Sequence, residues 1–368
     1  MTSEVGRLTR TWAEVPTDDV PTWNRRVRDG GAPLWQLPFW RAFVDRPGLA
    51  AHYFAEVDGT GALLAWACVM EWGVGPYRVA LVQDGPVSMV DPDGPVPDES
   101  ARGLCATLRR HGYVFVRFLT SARTLPRAAA LPDAVPGDLF PFFSRDVTEL
   151  YVRLPGEEQT LAGFQRHARQ HIRRAERKGY RIRSGGADLL EPVHRIIRMT
   201  ALRKGFRVPS EETLAGLLDA GADVDGVRLY LAETPDGVPV SGIAAGADRF
   251  TTHYLFGGVD PDRTAGVSPT PLLHWTAMRD AMACGARAYN LGSAAPASIA
   301  AFKEQFGPAR VPPPEAVTVA LRPAAAAAWR FGALPVLTRL WPSAQRVRRR
   351  LWQRNQNTTT TTTAETAV

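Results

Sequence analysis

The sequence predicts an α/β protein built from two similar units, and three observations carry the prediction. With 368 residues and 45% hydrophobic content the chain can bury a full core, and its length fits two domains better than one. A hairpin pattern occurs twice. Tyr53-Phe-Ala-Glu56 leads through Asp58-Gly-Thr-Gly61 into Leu63–Met70, and Tyr230-Leu-Ala-Glu233 leads through Pro235-Asp-Gly237 into Val238–Ala245. A helix-to-strand step follows each hairpin, at Gly112 and at Gly285, roughly 55 to 60 residues after its Tyr. A duplicated α/β unit explains that spacing.

In chain order, residues 1–30 are loop-rich with one helical piece at Thr22–Arg28, and Leu34–Val44 reads as a helix start carrying aromatic side chains. The helical run Ala101–His111 enters the strand Tyr113–Phe118. A Pro- and Ala-rich connector follows at Leu125–Pro141, then a strand at Val147–Leu154. The next helix is the most basic element of the chain. Phe164, Ala168, Ile172 and Ala175 form a narrow apolar stripe, and Arg166, Arg169, Arg173, Arg174, Arg177 and Lys178 cover the rest before Gly179 stops it. Such a face suits tRNA phosphates, whose binding is chiefly electrostatic; a solvated charged face is the plainer alternative. The helix Leu189–Leu202 ends in Thr200-Ala-Leu-Arg203-Lys-Gly-Phe206, where Arg203 either contacts an anion or offsets the negative helix end.

From His253 to Gly307 the chain reads as strand, loop, helix, strand and basic loop. The loop contains Arg263-x-x-Gly266-x-Ser268, and the helix behind it carries Leu272, Leu273, Trp275, Met278 and Met282 on a broad apolar face. Glycine allows close backbone approach and a helix N-terminus offers N–H groups, so a phosphate-bearing substrate is expected there. After Pro308-Ala-Arg-Val-Pro-Pro-Pro314 come a strand at Ala316–Leu321 and a helical run at Ala324–Arg350, broken by Pro335 and Pro342. That run is basic and Trp-bearing. It is expected to pack on the first unit, with an anionic membrane surface as the second reading. Gln353–Val368, with its run of threonines, reads as disordered.

Composition excludes several classes. Cys68, Cys105 and Cys284 are far apart and lack metal spacing, which argues against a disulfide framework and against a zinc site. No secretory segment opens the sequence and no apolar run is long enough to cross a bilayer, so a cytoplasmic protein is expected, at most peripheral to the membrane. A net charge of +7 favours anionic partners. The cysteines and the seven histidines form no recognisable nucleophile pattern.

The motifs of the second unit resemble those of FemAB-type aminoacyltransferases. Leu273-His-Trp-Thr, Tyr289-Asn-Leu-Gly292 and Phe302-Lys303 followed by Phe306-Gly307 are similar to that family's closing block. The basic helix, Thr200-x-x-Arg203-x-Gly-Phe206 and the opening Gln36-x-x-x-Trp40 also match, and the likeness covers roughly residues 34–322. The sequence departs at Ser268, Asn290, Gln305 and Pro308.

The resemblance implies two tandem GNAT-like acyltransferase domains with mixed sheets flanked by helices. The first spans 1–155, completed by about 315–350; the second spans 156–314; and 351–368 is a tail. It implies transfer of an amino acid from aminoacyl-tRNA to the peptide of a peptidoglycan precursor, either lipid II or UDP-MurNAc-pentapeptide, by a monomer without metal or bound cofactor. Lys303 takes the catalytic, electrostatic role. Arg203, Tyr254 and Phe302 are expected at the substrate, with Arg263, Gly266 and Ser268 as the phosphate loop. Asn290 replaces an Asp, which makes a general base at that position unexpected. An acyl-CoA-dependent N-acyltransferase and aminoacyl transfer to a small metabolite are the alternatives, and a degenerate RNA- or membrane-binding module is a further one.

Overall fold

The computed structural model describes residues 10–340 except 45–48, 92–93, 121–130, 132–133, 136–147, 265 and 296. Among these residues the strands form two mixed sheets, one in each half of the chain. The first sheet contains β1 (Thr11–Glu14), β2 (Leu49–Val57), β3 (Leu63–Val74), β4 (Tyr77–Gln83), β5 (Val87–Ser88), β6 (Phe115–Thr120) and β7 (Ala134–Val135). The second contains β8 (Glu149–Arg153), β9 (Arg181–Gly185), β10 (Val227–Glu233), β11 (Pro239–Ala247), β12 (Thr251–Val259), β13 (Ala288–Ser293) and β14 (Ala309–Val311). The chain then returns, and β15 (Glu315–Ala320) lies between β6 and β7 in the first sheet. Each sheet contains one parallel pair, β4 with β6 and β12 with β13.

Short helices α1 (Asn24–Asp29) and α2 (Arg41–Val44) precede α3 (Asp98–Arg110) in the first half. The second half contributes α4 (Glu157–Gly163), α5 (Arg166–Arg177), α6 (Leu190–Lys204), α7 (Glu211–Ala220), α8 (Thr270–Ala283) and α9 (Ala297–Glu304), and α10 (Pro323–Ala328) follows β15.

The repeated hairpins predicted from Tyr53 and Tyr230 are β2–β3 and β10–β11. Other expectations are corrected. Leu34–Val44 is not one helix start: two 3-10 turns, Leu34–Gln36 and Pro38–Trp40, precede α2 because Pro38 forces Leu37 into extended backbone. Gln36 anchors the segment, since its buried amide donates to Gln83 O and accepts from Cys68 N–H, and its carbonyl accepts from the Trp66 indole. Pro335 does not break the last helix. A π-turn at Trp329–Ala333 widens the helix just ahead of the proline, which lacks an N–H, and helix resumes over 334–340. Most of the connector Leu125–Pro141, and the whole segment from Trp341 that includes Pro342 and the tail, lie outside the described residues.

One apolar core joins the halves. Leu37, Phe39, Trp40, Tyr53 and Trp66 of the first half pack with Val193, Ile196, Leu214, Leu217, Val227 and Leu229 of the second. An interface this apolar behaves as a core rather than a hinge. It seats the aromatic segment 34–44 against the second sheet.

Candidate functional site

The site is where the parallel pair β12–β13 splits. The two strands pair only over Thr251–His253 and Ala288–Asn290; beyond that point β12 stays with β11 and β13 with β8. Both strands are irregular at the split. Leu255 is the extra residue where Ala244 faces Phe256 and Ala245 faces Tyr254. On β13 the register with β8 shifts between Asn290 and Ser293, where Gly292 takes φ +76. Bulges re-aim side chains. Here they turn Tyr254, Leu255 and Phe256 from one strand and Asn290 and Gly292 from the other into a cavity of about 350 Å³. Glu149, at the start of β8, lines it too, and the first half closes it with Trp35, Trp40, Phe43 and Gln83. Such a volume suits a small polar group entering beside an aromatic wall.

A chain of buried polar groups crosses the floor. Asn290 donates its side-chain amide to Glu149 Oε2 at 3.0 Å and to His253 Nδ1 at 3.2 Å, while its Oδ1 accepts from Gly292 N–H at 2.7 Å. His253 Nε2 donates to Asp248 Oδ2 at 3.0 Å, so the Asn290 donor at one ring nitrogen and the Asp248 acceptor at the other fix the tautomer. Asp248 Oδ2 also accepts from the Leu34 N–H of the aromatic segment at 3.1 Å. Glu149 Oε2 takes a further bond from the Tyr151 hydroxyl at 3.0 Å.

Lys303 lies one layer behind the wall. It is 6% exposed, and Nζ donates to Ser293 O at 2.9 Å and stands 5.8 Å from the centroid of the Tyr254 ring. Burial lowers its pKa to about 8, against the charge of Glu149, which raises it. Burial likewise pushes the Tyr254 hydroxyl up to about 12. Gly257 makes room for that ring, because a Cβ there would meet Tyr254 Oη at 2.6 Å. Below lies His274, 1% exposed, with Nδ1 at 3.1 Å from Tyr289 Oη and Nε2 without a hydrogen-bond partner. It is packed by Tyr254, Phe302 and Phe306, and burial, helped by the charge of Lys303, lowers its pKa to about 3. Phe302 therefore supports the wall from behind and is not a lining residue.

The other predicted residues fall elsewhere. Arg203 is exposed at the end of α6 and donates to Val259 O at 3.2 Å, at the far end of β12. Arg263 follows directly and pairs with Asp260 at 3.4 Å. The phosphate loop is poorer in donors than its sequence suggests. Ser268 Oγ accepts from Thr270 N–H, and Pro269 and Pro271, at the helix start, have no N–H to offer. Gly266 takes φ +76, as its place in a turn requires.

Helix α5 buries Ala168, Ile172 and Ala175, while Arg166, Arg173, Arg174, Arg177 and Lys178 are exposed. Arg169 is the exception, since its guanidinium binds the carbonyls of Ala162 and Phe164 and so closes the α4–α5 turn. At its start Gln165 N–H donates to Gln305 O at 2.8 Å, which fastens the basic helix to the loop after Lys303. Among the described residues no cluster of His, Cys, Asp or Glu has metal-binding geometry.

Glu149, Asp248 and the role of His253 escaped the sequence reading. Glu149 is a lone carboxylate in an ordinary strand, and only the placement of β8 against β13 brings it to Asn290. A turn signal at Asp248 is visible, since Oδ1 accepts from Phe250 and Thr251 N–H, but nothing local marks its bond to Leu34.

The sequence of residues 162–304 matches the acetyltransferase (GNAT) domain. Among curated proteins no sequence matches the chain. Among solved structures, FemX is similar with a TM-score of 0.70 at 15% identity, covering 85% of this chain and 98% of that one. The C-terminal domain of a proposed lysylphosphatidylglycerol synthetase from Agrobacterium fabrum gives 0.55 at 14%, covering 88% and 98%. L-PGS from Bacillus licheniformis gives 0.53 at 14%, covering 88% and 97%. The architecture is a tandem GNAT fold of two mixed sheets flanked by helices.

Proposed function

We propose that the chain is a tRNA-dependent aminoacyltransferase that adds an amino acid to the peptide of a peptidoglycan precursor, the step that builds an interpeptide bridge. The observation that carries this reading is the cavity at the β12–β13 split. It presents the Glu149 carboxylate, held by Asn290, with the buried Lys303 behind Gly292, and none of its described lining residues is Ser, Thr or Cys. That set suits direct aminolysis of an ester that is already activated. The likeness in fold to FemX and to a proposed lysylphosphatidylglycerol synthetase supports the same class of donor.

In this mechanism the acceptor amine attacks the ester carbonyl carbon, a C–N bond forms, and the C–O bond to the tRNA ribose breaks. Glu149 takes the proton that the neutral amine loses and passes it to the ribose oxygen, which leaves as the hydroxyl. Lys303 acts through its field on the oxyanion across a dry wall, where a fixed charge is worth more than in water. The exposed arginines of α5, fastened beside Gln305, hold the tRNA phosphates.

The match of residues 162–304 to an acetyltransferase domain favours a second reading, an acyl-CoA-dependent N-acyltransferase. The prolines at the start of α8 weigh against a pyrophosphate cradle there. The deciding experiment incubates the protein with a radiolabelled pool of charged tRNA and offers lipid II and, separately, UDP-MurNAc-pentapeptide. Label on either acceptor, lost with Glu149→Gln, supports the transferase. Intact aminoacyl-tRNA with no labelled product, together with a thermal shift on acetyl-CoA, supports the second reading.

A further inference from the structure

Five rings form an unbroken arc along the cavity at the β12–β13 split. From His253 the arc runs to Trp35, with ring centroids 6.1 Å apart, then to Trp40 at 4.8 Å, Phe43 at 4.9 Å and Phe256 at 6.1 Å. Both ends lie on β12 and the middle belongs to the first half, so the arc exists only because the shared apolar core seats the segment 34–44 against the second sheet. All five rings line the cavity, and Trp35, Phe43 and Phe256 are half-buried, which leaves part of each free to meet a ligand. Leu255 adds an aliphatic side chain to the same wall.

The aminoacyl transfer proposed for this cavity, on which the inference rests, brings two large substrates to one carbon atom. The tRNA continues from the ester oxygen and the peptide of the precursor from the attacking nitrogen, and neither fits within about 350 Å³, so both leave through the mouth. Only the transferred amino acid ends at the reaction centre. Its side chain branches from the atom next to the carbonyl carbon, and it occupies the surface that adjoins the polar corner of Glu149 and Asn290. That surface is the arc. The amino group on the same atom is polar, which leaves the rings to the side chain.

The lining selects among side chains. None of the described lining residues is Lys or Arg, so an acidic side chain has no partner there and is repelled by Glu149. A basic side chain would pair with Glu149 and oppose the carboxylate's uptake of a proton. The side-chain N–H groups of Asn290 and His253 are spent on Glu149, on each other and on Asp248, so neither has a free donor for a polar group. Glycine, alanine and serine would leave most of the arc facing water, whereas a large apolar side chain covers it.

We propose that the arc is the side-chain pocket for the transferred amino acid, and that the preferred donor carries a large apolar side chain, such as that of leucine, methionine or phenylalanine.

Transfer by the full chain from tRNA charged with a single labelled amino acid tests it, with each standard amino acid in turn and with lipid II and UDP-MurNAc-pentapeptide both present as acceptors. Expected is a kcat/KM for the large apolar donors at least about tenfold above that for glycine, alanine, serine and lysine, the discrimination that an apolar pocket gives for a few methylene groups. Phe43→Ala with Phe256→Ala should lower the ratio of leucine to alanine transfer by at least about tenfold, and that ratio is blind to any loss of folded protein, which lowers both rates alike. A preference for a small, polar or charged donor, or a ratio that ignores both substitutions, would overturn the proposal and leave aminoacyl transfer standing. A raised KM for the acceptor with an unmoved ratio would overturn it too, and give the rings to the acceptor's peptide. No transfer of any amino acid would overturn the reading of the cavity, and this pocket with it.

Discussion

Asn290 holds Glu149 and His253 on one side-chain nitrogen, 3.0 Å from the carboxylate oxygen and 3.2 Å from the imidazole. An amide has two hydrogens for two acceptors, so an aspartate in its place has none to give. With Asn290 at this position, the carboxylate that lines the cavity is Glu149, on β8.

Glu149→Gln is expected to lower turnover by roughly a hundredfold or more, the usual worth of a positioned base, with little change in KM for the acceptor. Single-turnover transfer from charged tRNA measures it. Unchanged turnover would remove Glu149 from the chemistry.

Asn290→Asp places a second carboxylate beside Glu149 and removes the donor to His253. Repulsion between the two should raise the proton affinity of the pair, so the acidic limb of the pH–rate profile moves to higher pH. An acidic limb that stays put would mean that Glu149 does not set it.

Lys303 carries a cost that turnover recovers. Its pKa is about 8 in the folded chain and 10.5 for an ordinary lysine, so the unfolded chain binds more protons between those values. Stability therefore rises as pH climbs from 8 to 10.5, and below 8 the full penalty of about 3 kcal/mol applies. Lys303→Met should abolish most transfer yet melt no lower than the parent at pH 7, since relief of that penalty exceeds the roughly 1 kcal/mol lost with the Ser293 bond. In the parent, activity should fall as pH rises through about 8 and the ammonium deprotonates.

His274 is neutral when folded, with a pKa of about 3 against 6.5 for an ordinary histidine. The unfolded chain binds the extra proton between those values, so stability is lost as pH falls from 6.5 toward 3, by up to roughly 5 kcal/mol. His274→Phe keeps the ring packing and should move acid unfolding, followed by circular dichroism, to lower pH. An unmoved midpoint would show that another group governs acid unfolding.

Replacing Arg173, Arg174 and Arg177 by Gln should raise KM for charged tRNA and lower the slope of log affinity against log salt by roughly two to three. Arg169→Gln should act differently. It frees the carbonyls of Ala162 and Phe164 and should lower the melting temperature instead.

Much of this fold was legible because its elements carry local signals. Hairpin turns at Asp58–Gly61 and Pro235–Gly237, and glycine stops at Gly112, Gly179 and Gly285, mark boundaries that the backbone keeps, each stop in the left-handed region. The 34–44 segment was misread because one proline outweighs its helical pattern. The site was legible in part. Lys303 and Asn290 sit in motifs and Tyr254 in a strand expected beside the substrate, and the structure brings all three to the β12–β13 split. Glu149 and Asp248 lie 99 positions apart in sequence, and they meet one polar chain only through the pairing of β8, β13 and β12. Such relations belong to topology, which no window of sequence contains.

The return of β15 to a place between β6 and β7 has a consequence during synthesis. Until residue 320 has left the ribosome, β6 has an unfilled edge, and Val319 and Leu321 are missing from the core over α3. The second sheet, whose strands end at Val311, is therefore complete before the first one closes. The usual N-to-C order of domain maturation is reversed, and a nascent chain halted between the two events exposes a strand edge open to pairing with another chain.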